Sequence, residues 1–292
     1  MTKGNVELLD LEGSRRLEVR VDGDDRLPAL LYCHDTPSAA VAFPLLEEAL
    51  SRAGLRLVSW SRPGYGRSTT QRNRSVRSTA EDAKAVCAHL NLEQFAVAGW
   101  SGGGPHALAI AAMVPGCTEA LLLSGFGPAT VPDLDFLAGM NEAVIEEFTL
   151  AFDGEEEFEA ALSDAATELQ TVTREGLVEA LGGDLCERDQ LTLRGPLGDF
   201  LVRSFQHAVV RTSAGWRDDD SALVRNWGFP LDQVRVPVTV ASGTADTRVP
   251  PAHGAWLASH LPQASAHVYE GAGHLSIWEH VGELLSEIRE VR

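Results

Sequence analysis

Short apolar runs alternate with longer stretches of helical spacing along most of the chain, which predicts an α/β fold with a mostly parallel central sheet flanked by helices. Strands are expected over 6–11 and 17–21, joined as a hairpin through Glu12-Gly13-Ser14, then over 29–33, 55–60, 95–98 and 120–123. An amphipathic helix follows a turn at 34–38 and runs through Leu50. The stretch 78–90 places Ala83, Val86, Cys87 and Leu90 on one helical face, and 102–113 reads as a further helix. From 128 to 228 the rhythm breaks into mostly helical, acidic sequence punctuated by loops such as Leu193-Arg194-Gly195-Pro196. Strand rhythm returns at 236–241 and 266–269, with helices near 255–260 and from about 277. The expected organisation is a core of 1–127 and 229–292 with a helical insertion at 128–228. No internal repeat or low-complexity linker is present.

Composition narrows the classes. A chain of 292 residues with 44% hydrophobic and 23% charged positions buries enough apolar surface to need no metal or disulfide staple. The 24 basic against 42 acidic residues give a formal charge of −18, which repels phosphate backbones and excludes nucleic acid as a partner. Between Pro132 and Gln190 the only basic residues are Arg174 and Arg188, among acids that include Glu155, Glu156, Glu157 and Glu159. Such a run reads first as a solvated helix face. A weaker reading is a bias toward neutral or cationic substrates over anionic ones. Cys33, Cys87, Cys117 and Cys186 form neither C-x-x-C pairs nor metal-ligand spacing. The polar start from Met1 to Arg15 lacks the pattern of a leader, and no window has the roughly 20 apolar residues of a membrane span. A reducing cytoplasm is the expected compartment. The sequence does not reveal an oligomeric state.

The densest chemistry lies where the strand at 95–98 meets the helix at 102–113, in Gly99-Trp100-Ser101-Gly102-Gly103. A serine on a tight strand-to-helix turn needs tiny flanking residues so that strand and helix can approach. The helix N-terminus then supplies backbone N–H groups and positive partial charge. Glycine-rich turns of this kind also bind phosphates, but no Gly-Lys-Ser/Thr follows here. A serine hydroxyl attacks only when a base takes its proton. Among nine histidines, His274 stands in a glycine-rich loop, Glu270-Gly271-Ala272-Gly273-His274, just past a strand. His106 reads as a packing or pocket residue, and His253 and His260 as ordinary helix positions. Asp246 ends another strand in a small-residue loop and would orient the histidine. The order Ser101, Asp246, His274 is the order of one known fold.

These segments together resemble the α/β-hydrolase superfamily, and more closely its bacterial serine esterase-like members with a helical cap. The likeness rests on Cys33-His34-Asp35-Thr36-Pro37, Ser61-Arg62-Pro63-Gly64-Tyr65-Gly66-Arg67-Ser68, the Ser101 turn, the Asp246 loop and Gly273-His274. It implies that 128–228 is the cap over the active site, and that Gly102 and Thr36 supply the oxyanion-hole N–H groups. The sequence departs from the family at Asp35, where glycine is usual. A carboxylate there either opposes a developing oxyanion or distorts the loop, or it points away and caps the next turn. Ser61 replaces an aspartate common before Arg-Pro-Gly, in a loop read as structural.

Trp100, Asp35 and Phe126 are expected at the substrate pocket, and Phe136, Met140, His207 and Trp216 are candidates from the cap. Trp100 and Phe126 can equally serve as core, and helical aromatics such as Phe136 and Trp216 are more often packing than recognition. Asp218-Asp219-Asp220 lacks the spacing of a calcium loop and reads as an acidic helix start, so no metal is expected. The resulting expectation is a cofactor-free hydrolase of a carboxylic ester or lactone, with a small, neutral or apolar substrate. A carbon–carbon bond hydrolase or a specialised tailoring or acyl-transfer enzyme uses the same residues. A non-catalytic small-molecule-binding protein on this fold is the alternative from another class.

Overall fold

The computed structural model describes residues 4–153 and 155–288. The first three positions of the polar start and the side chain of Glu155 lie outside the described residues. The strands are β1 (Asn5–Asp10), β2 (Arg16–Asp22), β3 (Ala29–Cys33), β4 (Arg56–Ser61), β5 (Phe95–Trp100), β6 (Cys117–Leu123), β7 (Val238–Gly243) and β8 (Ala264–Tyr269). They form one sheet in the order β1-β2-β4-β3-β5-β6-β7-β8. β1 and β2 make the expected antiparallel hairpin, β2 runs antiparallel to β4, and the remaining pairs are parallel.

The apolar runs of the inner strands are continuous because both faces of the sheet are covered. In β3, Ala29, Leu31 and Cys33 face one apolar cluster, and Leu30 and Tyr32 face the other. In β5, Phe95 and Val97 alternate in the same way with Ala96, Ala98 and Trp100. Helices α2 (Thr79–Leu90) and α3 (Gly103–Met113) supply Ala80, Ala83, Val86 and Ile110 to the first cluster. Helix α1 (Pro44–Ala53) supplies Leu46 and Leu50 to the second.

Between β6 and β7 the chain leaves the sheet and forms α4 (Glu142–Asp153), α5 (Glu155–Leu169), α6 (Arg174–Leu181), α7 (Glu187–Leu193), α8 (Pro196–Ala208) and α9 (Ala214–Leu223). These helices are anchored by their own apolar stripes. Val144 and Phe148 of α4 join the first cluster, while Leu177, Leu193, Leu197 and Phe200 join the second. Phe158 and Leu162 of α5 pack with Tyr65, Val209 and Trp216 in a third. The chain then returns through β7, α10 (Pro251–His260) and β8. The expected final helix is a 3₁₀ turn over Ser276–His280 that continues as α11 (Val281–Ser286).

Two acidic stretches behave differently. Glu156, Glu157 and Glu159 are exposed on α5, the solvated face anticipated for them. Asp218, Asp219 and Asp220 differ from the acidic helix start expected of them. They lie in the body of α9 and are buried, because α9 is pressed between the core and the other inserted helices.

Parallel pairing brings several strand ends to one edge. Cys33 lies opposite Gly99, Trp100 opposite Leu123, and Gly243 opposite Tyr269. The loops after β3, β5, β7 and β8 therefore open on the same side, where open α/β sheets place their ligands.

Candidate active site

Ser101 sits in the turn between β5 and α3 with φ of +55°, in the left-handed region that residues with a Cβ rarely occupy. The turn is held by the Ser101 N–H, which donates to the Leu123 carbonyl at 2.9 Å. The neighbouring glycines are required by contact rather than by flexibility. A Cβ on Gly99 would collide with the Gly103 carbonyl, and one on Gly103 would collide with the carbonyls of Cys33 and His34. Gly102 lies against Thr36: a Cβ there would fall 2.5 Å from Thr36 Oγ1. The two residues expected to provide oxyanion donors are thus neighbours in space.

His274 is buried in the loop after β8, and its Nδ1 lies 2.9 Å from Asp246 Oδ2. Asp246 Oδ1 accepts hydrogen bonds from the N–H groups of Arg248 at 2.9 Å and Val249 at 2.8 Å. With both its oxygens engaged, Asp246 fixes the tautomer that carries the His274 proton on Nδ1. Trp100 stacks on the His274 ring at 5.4 Å, and its Nε1–H donates to the His274 carbonyl at 3.3 Å. Among the described residues no hydrogen bond joins Ser101 Oγ to His274. The two side chains share the wall of one cavity.

The His274 loop has a second support that sequence reasoning did not find. Asp189 of α7, itself buried, accepts from the Ser276 N–H at 2.7 Å and from Ser276 Oγ at 2.6 Å. Ser276 Oγ in turn accepts from the Gly273 N–H at 2.8 Å.

The loop carrying Asp35 and Thr36 is held differently. Arg62, from the loop after β4, donates to the His34 carbonyl at 2.5 Å, to the Asp35 carbonyl at 3.0 Å and to Thr36 Oγ1 at 3.1 Å. Its guanidinium also pairs with Asp219 at 2.5 Å, and Arg74 pairs with the same carboxylate at 2.5 Å. All three side chains are about 2% exposed or less. Burial alone would raise the Asp219 carboxyl, but Arg62 and Arg74 together hold it well below the usual carboxylate range. His106 Nε2 lies 3.2 Å from Asp219, and its Nδ1 is 2.7 Å from Thr79 Oγ1. Burial and then the positive field of Arg62 push the His106 imidazole down to about 4, so it is neutral and structural. The loop of Ser61 and Arg62 keeps the structural role expected of it, and Ser61 Oγ bonds Glu18 at 3.1 Å.

The cavity measures about 610 Å³. Asp35, Thr36, Trp100, Ser101, Arg248 and His274 line its inner end. The inserted helices and their connections supply a largely aliphatic wall that includes Leu169, Val172, Leu177, Leu181, Leu185 and Leu201. Trp216 lines it, and its Nε1–H donates to Glu147 Oε1 at 2.5 Å. Phe126 lines only a small recess of about 20 Å³ beside Ser101. Three pocket assignments are corrected. Phe136 and Met140 do not line the cavity but are buried in the core, where Phe136 packs on Phe126, Phe148 and His253. His207 also lies off the cavity, with Nε2 2.8 Å from Glu18 Oε2. His253 is more than a plain helix position: its Nδ1 accepts from the Gly127 N–H at 3.0 Å.

The described residues hold no cluster of three or more His, Cys, Asp or Glu arranged for a metal ion. No helix among them is long and apolar enough to cross a membrane.

Comparison with known proteins agrees with the fold. The family described as alpha/beta hydrolase fold matches residues 28–281. A 2-hydroxy-6-oxononadienedioate/2-hydroxy-6-oxononatrienedioate hydrolase of Cupriavidus pinatubonensis is 24% identical, over 95% of each chain. A pimeloyl-[acyl-carrier protein] methyl ester esterase of Aromatoleum aromaticum is 28% identical, over 82% of this chain and 88% of the esterase. Among solved structures, the enol-lactonase from Burkholderia xenovorans superposes with a TM-score of 0.65 at 20% identity, covering 97% of this chain and 98% of the lactonase.

Proposed function

The chain belongs to the α/β-hydrolase fold family, and from that membership we propose that it is a serine hydrolase of carboxylic esters or lactones, with the segment 128–228 as its cap. The observation that carries this reading is the strained Ser101 turn sharing a cavity with a histidine whose Nδ1 is held by Asp246. Ser101 Oγ attacks the substrate carbonyl carbon while its proton passes to His274 Nε2. Asp246 stabilises the imidazolium that forms. The N–H groups of Gly102 and Thr36 receive the oxyanion. His274 then returns the proton to the leaving group, and a water activated by the same imidazole releases the acyl chain. The aliphatic wall favours a neutral, apolar acyl or alcohol portion. Four cysteines without disulfides fit a reducing cytoplasm.

Carbon–carbon bond hydrolysis is the second reading. Relatives named for cleaving 2-hydroxy-6-oxo acids favour it, since the same three side chains support that chemistry. Intact mass after treatment with a fluorophosphonate probe tests the shared premise. A single adduct is expected on the wild type and none on Ser101→Ala or His274→Ala. A folded wild type that takes no adduct overturns the enzyme reading in favour of ligand binding.

A further inference from the structure

Asp35 is the one acidic side chain in the loop that approaches Ser101, and its surroundings give it no counter-ion. It is 6% exposed and lines the cavity together with Thr36, Ser101 and His274. Its Oδ1 is buried and makes no hydrogen bond, and no ion pair among the described residues reaches its carboxyl. The Arg62 guanidinium is already committed, because its donors go to Asp219, Thr36 Oγ1 and the carbonyls of His34 and Asp35. Burial without a cation favours the protonated form of a carboxyl. In that form it is a hydrogen-bond donor in the cavity that Ser101 also lines, whereas the ionised form would oppose any negative charge developing there.

We propose that Asp35 is a further catalytic residue, a neutral carboxylic acid that donates a hydrogen bond to the carbonyl oxygen attacked by Ser101. This inference rests on the serine-hydrolase reading. Asp35 keeps its proton throughout: the Ser101 proton moves to His274, the carbonyl π electrons move onto oxygen, and Asp35 shares its hydrogen with that oxyanion. Its task parallels that of the Gly102 and Thr36 N–H groups, and it turns the departure from glycine into a third donor.

The groups around the carboxyl fix the sign of the pH dependence. Tyr32 of β3 lies beneath the loop and His34 within it, both buried, with the imidazole pushed well down by burial and by Arg62. Burial pushes the Asp35 carboxyl up to about 6, against the opposing pulls of the Ser38 hydroxyl, His274 and Arg62. Along the cavity wall, Glu147 of α4 and Glu168 of α5 disfavour a further negative charge, and Arg248 favours one. The donor form therefore prevails below about pH 6 and is lost as pH rises through that value. A substrate that displaces water from the cavity moves the midpoint upward.

The experiment is the rate of fluorophosphonate labelling, followed by intact mass from pH 4.5 to 8.5, on wild type, Asp35→Asn and Asp35→Ala. Wild type is expected to lose rate about tenfold per pH unit above its midpoint, as one ionising group dictates. Asp35→Asn keeps a donor that cannot ionise, so its profile lacks that fall. Asp35→Ala is expected to label about 10²-fold more slowly than wild type at pH 5, the loss typical of one oxyanion donor. Wild type and Asp35→Asn with superimposable profiles overturn the proposal, and they do so even if Asp35→Ala fails to fold. Equal rates for all three at every pH overturn it while leaving Ser101 reactive. Absence of labelling in every variant instead removes the serine-hydrolase reading, and this proposal falls with it.

Discussion

The two loops that meet at Ser101 are each braced by a buried carboxylate from the inserted helices, but by different physics. Asp189 of α7 holds the His274 loop through neutral donors, the N–H and hydroxyl of Ser276. Asp219 of α9 holds the Asp35–Thr36 loop through full charges, with Arg62 and Arg74 closing on it from the core. Hydrogen bonds from neutral donors to a buried carboxylate are charge-assisted, and each contributes about 1.5–3 kcal/mol. A buried ion cluster adds little net stability when complete yet is costly to break, because each stranded charge has lost its water. The Asp219 cluster is therefore the costlier of the two braces to break.

The sharpest way to break this comparison is Asp219→Ala, which leaves two buried guanidiniums without the carboxylate they share. We expect a loss of about 3–5 kcal/mol in stability, read as a lower urea midpoint. A change near zero would mean that water or another acid reaches Arg62 and Arg74, and that the contrast between the loops is false. Asp189→Ala should cost less, about 1–3 kcal/mol, as expected for unmade hydrogen bonds of buried groups. Its diagnostic readout is kinetic: the labelling rate of Ser101 falls while the KM for an ester substrate stays close to wild type, because the imidazole is misplaced and the cavity wall is intact. Smallest of all should be Leu181→Ala, a partly buried wall residue that supports neither loop. Its thermal midpoint should stay near that of the wild type. Its preference among p-nitrophenyl esters should shift toward longer acyl chains by about tenfold or less, the discrimination that a few methylenes supply.

Much of this arrangement could be read before any coordinates, and the boundary of what could be read is physical. Ser101, Asp246 and His274 each follow a short apolar run within small residues, and a parallel sheet carries such positions to one edge whatever the helices do. β3 lies where its apolar run begins and ends, since a strand covered on both faces cannot extend into polar sequence without burying it. Arg62 and Asp219 are another matter. Their partnership spans 157 positions, and neither residue's neighbours advertise it. Asp218-Asp219-Asp220 reads from sequence as an acidic helix start, and only the packing of α9 against the core makes these residues interior. The pocket assignments failed for a related reason. Helical spacing tells which residues share a face but not what that face meets, so Phe136 and Met140 turned out to be core. The aliphatic wall instead draws on leucines of α5, α6 and α8 together with Val144 of α4 and Val172 between α5 and α6, and these are compositionally indistinguishable from the rest of the interior.

The placement of Asp219 bears on how the molecule can be re-engineered. The segment between β6 and β7 enters and leaves the sheet through ordinary loops, so it invites exchange for a segment from another hydrolase as a route to new specificity. Such a graft would carry away the only carboxylate that the described structure sets between Arg62 and Arg74. A viable chimera therefore has its downstream junction before Ala214, keeping α9 with the recipient, or else replaces both arginines with uncharged residues. The functional seam of this protein runs ahead of α9, inside the segment that its sequence presents as one piece.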